Sequence, residues 1–167
     1  AFDAMMTNFM RLATAAVFGS LIAVAPAQAR DVKASDPSSI IAALGEAGYT
    51  GELATDDLGD PMITATLDGW TSRILFYGCD ADAHNACKSV QFFTIFDAPN
   101  GLQPAEALKF NGDYRFVSVS LDADNDPIVT WDVVLGSGVP SPVFVEAAQS
   151  YAGALSALGE KIFGPAQ

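Results

Sequence analysis

Positive charge is scarce in this sequence. Eight Lys and Arg stand against 20 Asp and Glu, a net charge of −12 over 167 residues. A surface of that sign repels phosphate backbones and anionic lipid headgroups, which excludes nucleic acid as a partner class and leaves basic partners favoured. Histidine is nearly absent too. His84 is the only one, so a Ser-His-Asp triad would have to use it, and no G-x-S-x-G sequence accompanies it. Long apolar runs are missing. The longest uncharged, mostly apolar stretch, Leu12 to Ala25, has 14 residues, short of the ~20 that a spanning helix needs. Cysteine is limited to Cys79 and Cys87. Their spacing is not C-x-x-C and no helix N-terminus adjoins them, which argues against a redox-active pair.

The uncharged run has a recognisable setting. Met6-Thr7-Asn8-Phe9-Met10-Arg11 precedes it and carries one positive charge at its end. Pro26 and then Ala27-Gln28-Ala29 follow it. A charged start, a short apolar run and small residues at the cut make a secretory signal. Cleavage is expected between Ala29 and Arg30, with residues 1–29 as signal peptide plus upstream residues and residues 30–167 as a single domain. Arg30 is not a cysteine, so no lipid anchor is implied. The mature chain is expected to be periplasmic or secreted, with no membrane contact after cleavage. One acidic and one basic residue, Asp3 and Arg11, precede the cut, so the mature charge stays at −12. In an oxidising compartment an even cysteine count predicts a disulfide, Cys79 to Cys87, clamping the base of a hairpin loop.

Periodicity outlines the domain. Asp36-Pro37 is a helix start, with Ile40, Ile41, Leu44 and Ala47 at helical spacing and Gly48 as the stop. Tyr49 to Ala54 reads as a short strand. Met62 to Leu67 alternates, Asp68-Gly69 is a hairpin turn and Ser72 to Tyr77 pairs back. Val90 to Phe96 is apolar on both faces and is expected as a central strand. Pro104 to Phe110 reads as a helix with Ala105, Leu108 and Phe110 inward. Tyr114 to Leu121 and Ile128 to Leu135 are strands about an acidic turn. Phe144, Ala147, Tyr151, Leu155, Leu158 and Ile162 step by threes and fours along a last helix ended by Gly164-Pro165. Hairpins dominate, so the fold class is α+β, an antiparallel sheet with helices packed on one face.

No catalytic residue, cofactor or metal is assigned. Asp122-Ala123-Asp124-Asn125-Asp126 imitates the start of a calcium loop, but Pro127 and Val133 stand where Gly and a bidentate Glu are needed. The reading is a solvated turn, with weak calcium binding left open. Gly136-Ser137-Gly138-Val139-Pro140-Ser141 has the context of a phosphate loop, but Pro140 and Pro142 remove donors that such a loop uses. Asp80, Asp82 and His84 alternate through the cysteine loop, which reads as solvated. The aromatics Phe92, Phe93, Phe96, Phe116 and Trp131 lie on neighbouring strand segments. Core packing is their first expectation. If helices cover one face only, Phe92, Phe116 and Trp131 are the candidate interaction residues.

Several segments together resemble the YbjN-like family, labelled sensory transduction regulators. They are Leu75-Phe76-Tyr77-Gly78-Cys79, Cys87-Lys88-Ser89-Val90-Gln91-Phe92, Asn111, Arg115-Phe116 leading into Leu121-Asp122, Asp126-Pro127, Trp131-Asp132, Gly138-Val139 and the last helix. The resemblance covers nearly all of residues 34–164, and the exported, cysteine-bearing members form a variant. It implies a fold similar to type III secretion chaperones and does not imply an enzyme; a protein partner of unknown identity is expected. It also implies a tendency to pair, so a weak homodimer, more populated as salt rises, is expected through Phe92, Phe116 and Trp131. Lys109-Phe110-Asn111 departs from the Trp-Asn pair of related sequences. The function expected is a non-catalytic periplasmic binding or regulatory module. The alternative is a small-molecule carrier or hydrolase with an aromatic- and carboxylate-lined pocket.

Overall fold

The computed structural model describes residues 30–164. The expected cut lies at its edge: Arg30 is described, while Ala29 and the signal-like segment fall outside the described residues. The first described residues are tied in at once. Strand β1 (Asp31–Val32) pairs antiparallel with β8 (Val139–Pro140), and Ser141 N–H donates to the Arg30 carbonyl at 2.9 Å. Helix α1 (Pro37–Glu46) starts as expected: Asp36 Oδ1 accepts from Ser38 N–H, and proline occupies the first turn, where its missing N–H costs nothing.

Six strands form the main sheet: β2 (Thr50–Thr55), β3 (Pro61–Leu67), β4 (Trp70–Tyr77), β5 (Ser89–Ile95), β6 (Ser118–Leu121) and β7 (Pro127–Val134). All neighbours are antiparallel, in the order β2-β3-β4-β5-β7-β6. The hairpin between β3 and β4 turns on Asp68 and Gly69, both at positive φ (47° and 88°), the geometry that matches strand twist. Helix α2 (Pro104–Asp113) follows β5, and α3 (Ser141–Phe163) closes the chain. The fold is α+β with its helices over one sheet face, as the periodicity implies.

That face is the core. Ile63, Ile74 and Phe92 share one cross-strand row and are fully buried, and Phe92 lies between the rings of Phe144 and Tyr151, with centroids 5.6 and 5.1 Å away. The one polar cluster inside it is closed on itself. Tyr151 Oη donates to the Val129 carbonyl at 2.9 Å and lies 3.0 Å from Thr94 Oγ1, itself 2.7 Å from Ser72 Oγ. Burial raises the Tyr151 pKa well above its ordinary value of 10.0. A raised folded pKa means that this stabilisation is complete below pH 10.0 and is lost as pH rises beyond it, because only the unfolded chain then ionises freely. Tyr151→Phe is therefore expected to lower stability by about 1 kcal/mol near neutral pH and to flatten alkaline denaturation. Urea melts at pH 7 and at pH 11 check both effects, and an unchanged alkaline slope would contradict the assignment.

Where helix α3 meets the sheet, Gly159 makes room for Trp70. A Cβ at Gly159 would overlap the indole, which is held edge-on to Phe96 (4.8 Å) and stacked on Phe163 (5.8 Å). Gly159→Ala gains about 1 kcal/mol of helix propensity, but it forces the indole out at a cost of about 1–3 kcal/mol beyond that gain. A lower midpoint with a red-shifted tryptophan emission is expected. A higher midpoint would mean that the ring is not wedged.

β5 is central as expected, between β4 and β7, and its apolar residues divide by face: Val90, Phe92 and Thr94 are buried, while Ile95 on the opposite face is 50% exposed and Phe93 is half-buried. Two expectations need correction. In α2 the inward residues are Ala107 and Phe110, whereas Ala105 is exposed and Leu108 is 72% exposed, because the helix starts at Pro104 and its phase is set by Phe110. The strand expected from Tyr114 begins only at Ser118, since α2 runs on to Asp113 and leaves Tyr114 to Val117 as a connection.

Candidate functional site

The connection between α2 and β6 carries the most exposed organised aromatic surface of the described residues. Its geometry begins with Phe110, which drops into the core and stacks on Tyr114, centroids 4.2 Å apart. Asn111, one residue further, turns to the sheet. Its Nδ2 donates to the Val119 carbonyl at 3.1 Å and its Oδ1 accepts from Val119 N–H at 2.7 Å. The side-chain amide thus pairs with the outward backbone groups of β6. Asn111 is spent on the fold, and Phe110 fills core space.

With α2 and β6 pinned in this way, the chain between them must turn sharply. Val117 is buried, and Phe116 is thrown outward at φ 70° with 63% of its surface exposed. A left-handed backbone at an aromatic residue costs about 1–2 kcal/mol. The ring stacks on Trp131 of β7 (5.1 Å, 22° between planes), and the Arg115 guanidinium sits 4.6 Å above its centroid. Trp131 is half-buried on the helix face, in register with Phe92. A cation, an exposed ring and a half-buried indole therefore form one layered platform at the β6–β7 side of the molecule.

Of the three sequence-derived interaction residues, the structure brings two together. Phe92 is corrected: it is wholly buried beneath α3 and no partner can touch it while the domain is folded. Phe116 and Trp131 share the platform. Arg115 and the strained backbone were not anticipated as site features, since the Arg-Phe pair signals nothing by itself and positive φ is not expected of an aromatic.

Cys79 and Cys87 are joined in a disulfide. Within its loop Asp80 Oδ1 accepts from the Asp82 and Ala83 N–H groups, which lowers its pKa, and His84 Nδ1 lies 2.9 Å from Asp60 Oδ1. The Asp60 contact docks the loop on the β2–β3 connection. The acidic turn is organised similarly. Asp122 Oδ1 accepts from Asp124 and Asp126 N–H groups, both at 2.9 Å, and Asp126 accepts from Ala98 N–H at 2.8 Å. Among the described residues no three His, Cys, Asp or Glu converge on a point where a metal could sit. At the phosphate-loop candidate, Ser141 Oγ bonds the Glu46 carboxylate, so an acid already lies against the start of α3. A shallow groove of about 200 Å³ lies between α2 and α3, crossed by the Lys161–Glu106 ion pair at 2.8 Å.

Comparison with known proteins adds the following. Residues 36–163 match the family YbjN, described as "Putative bacterial sensory transduction regulator". No curated protein matches the chain in sequence. Among solved structures the chain is similar to the Yersinia pestis type III secretion chaperone SycH, seen in complex with a stable fragment of YscM2. The identity is 16%, the coverage 76% of this chain and 97% of that chain, and the TM-score 0.42.

Proposed function

The chain belongs to the YbjN family, and from that premise we propose that it is an exported, non-catalytic module that engages a protein partner through the Phe116–Trp131 platform. The observation that carries the reading is Phe116 itself. A 63% exposed aromatic in a left-handed backbone is costly twice, once in strain and once in apolar exposure. Such a cost persists where the residue is used. The stacked indole fixes the ring in place, so little side-chain entropy is lost on contact, and the adjacent guanidinium supplies a hydrogen-bonding cation at the rim.

The chemistry elsewhere is consistent with binding rather than catalysis. Asp122 and Asp126 of the acidic turn and Asp80 of the cysteine loop accept backbone N–H groups, and His84 is held by Asp60. Export is supported by the signal-like start, by the Cys79–Cys87 bridge and by β1, which engages β8 immediately beyond Arg30. Mature protein should begin at Arg30. A role in sensory or stress regulation is the finer part of the proposal. Self-association through the same platform is the competing occupancy, and the charge of −12 on each copy opposes it.

The test is cross-linking in intact cells followed by purification of the tagged protein. Wild type is expected to yield a discrete adduct with a second protein, and Phe116→Gly to lose it. An adduct of the same yield in both, or only an adduct of the chain with itself, would overturn the reading.

A further inference from the structure

The two edges of the main sheet are treated differently. At one end β6 is short, four residues, and the Asn111 amide covers the outward N–H and C=O of Val119. At the other end lies β2, six residues long. Its ladder with β3 runs from Thr50↔Thr66 to Thr55↔Pro61 without a bulge. No proline or lysine interrupts it, and among the described residues nothing bonds its outer side. In an antiparallel edge strand every second residue turns its N–H and C=O outward. Natural sheets blunt such edges with short strands, bulges, proline, lysine or a covering element. This chain does so at β6 and not at β2.

The surroundings of β2 say what would fit there. Two shallow grooves flank its C-terminal end, one on each face. The groove on the open face, about 390 Å³, is lined by Asp56, Asp57, Leu58, Met62 and Arg73. On the helix face the other, about 450 Å³, is lined by Pro37, Leu53, Ala54 and Pro61, with His84 at its wall. Side chains of an added strand alternate between the two faces. Glu52 also projects on the open face, in the row of Thr64. The open-face side is thus weighted to negative charge and the helix-face side is apolar, with Leu53 59% exposed.

We infer that the free edge of β2 accepts an extended segment of a partner protein as a seventh strand, with basic residues toward Glu52 and Asp57 and apolar residues toward Leu53. This adds a second contact at the sheet edge opposite the Phe116–Trp131 platform, and it rests on the reading that the chain engages a protein partner. Backbone pairing supplies affinity, and the alternating grooves supply selection. A second copy of this chain fits poorly, because antiparallel self-pairing brings two Glu52 side chains and two charges of −12 together.

The experiment uses isotope-labelled protein carrying its native processing and three capped nine-residue peptides: one alternating Lys with Val, one alternating Glu with Val, and the Lys peptide with alternate backbone nitrogens methylated. The Lys peptide should shift and protect the amides of residues 50–55. The Glu peptide and the methylated peptide should each bind at least about tenfold more weakly, and Glu52→Lys should lower affinity for the Lys peptide by about fivefold to tenfold. Shifts centred on Phe116, equal binding of the methylated peptide, no effect of Glu52→Lys, or a dimer paired through residues 50–55 would each overturn the assignment. If the Phe116-dependent adduct forms in cells while residues 50–55 ignore the peptides, the edge assignment falls and the binding reading stands. Absence of both ends both.

Discussion

Replacing Cys79 and Cys87 together by Ser is expected to lower stability by about 2–3 kcal/mol, or about 7–10 °C in melting midpoint for a domain of this size. Three contributions act together. The bridge spans eight residues of sequence separation, so its loss restores closure entropy to the unfolded chain. Cys87 is 2% exposed within the core, and a hydroxyl there must find a partner or remain unsatisfied. The loop it closes also contains two non-glycine residues in the left-handed region, His84 at φ 50° and Ala86 at φ 53°, conformations that a free loop would leave. With the loop relaxed, the His84–Asp60 contact should break and exchange of the 80–85 amides should accelerate. Thermal melts and hydrogen exchange check the two halves. A loss under 0.5 kcal/mol would show the loop to be an ornament of the hairpin.

Phe116→Gly has the opposite character. Glycine accepts φ 70° without strain, so about 1–2 kcal/mol is recovered. Against this stand the lost stack on Trp131, about 0.5–1.5 kcal/mol, and the greater freedom of glycine in the unfolded chain, about 0.5–1 kcal/mol. These nearly cancel. Stability should stay within about 1 kcal/mol of wild type, while partner capture falls more than tenfold, as for a buried aromatic anchor at the centre of an interface. A residue that only holds the fold together would show both losses or neither.

Much of this architecture was legible in the sequence because local chemistry dictates it. Asp36-Pro37 sets a helix start, Asp68-Gly69 a hairpin, and the steps from Phe144 to Leu158 an amphipathic helix, and each stands where its residues place it. The rest depends on long-range context. Phe93 and Ile95 are apolar on the uncovered face, so the sequence of β5 marks a central strand without saying which of its faces is covered. In α2, Leu108 looked inward by hydrophobicity, yet Phe110 decides the phase. The insertion of β7 between β5 and β6 depends on pairings across α2 that no local pattern announces. At the site, Phe116 and Trp131 could be named from the aromatic composition of adjacent strands. Phe92 could not be separated from them, because alternation gives the face of a residue only once the register is known. The strain at Phe116 follows from α2 and β6 being pinned by Asn111, a contact visible only in three dimensions.

The most direct test of the partner-binding account is to measure melting midpoint and partner capture on the same preparation of Phe116→Gly, beside wild type. The account predicts a midpoint within about 4 °C of wild type and a capture yield lowered more than tenfold. A midpoint that drops by about 8 °C or more with capture falling in step, or capture left intact, would contradict it.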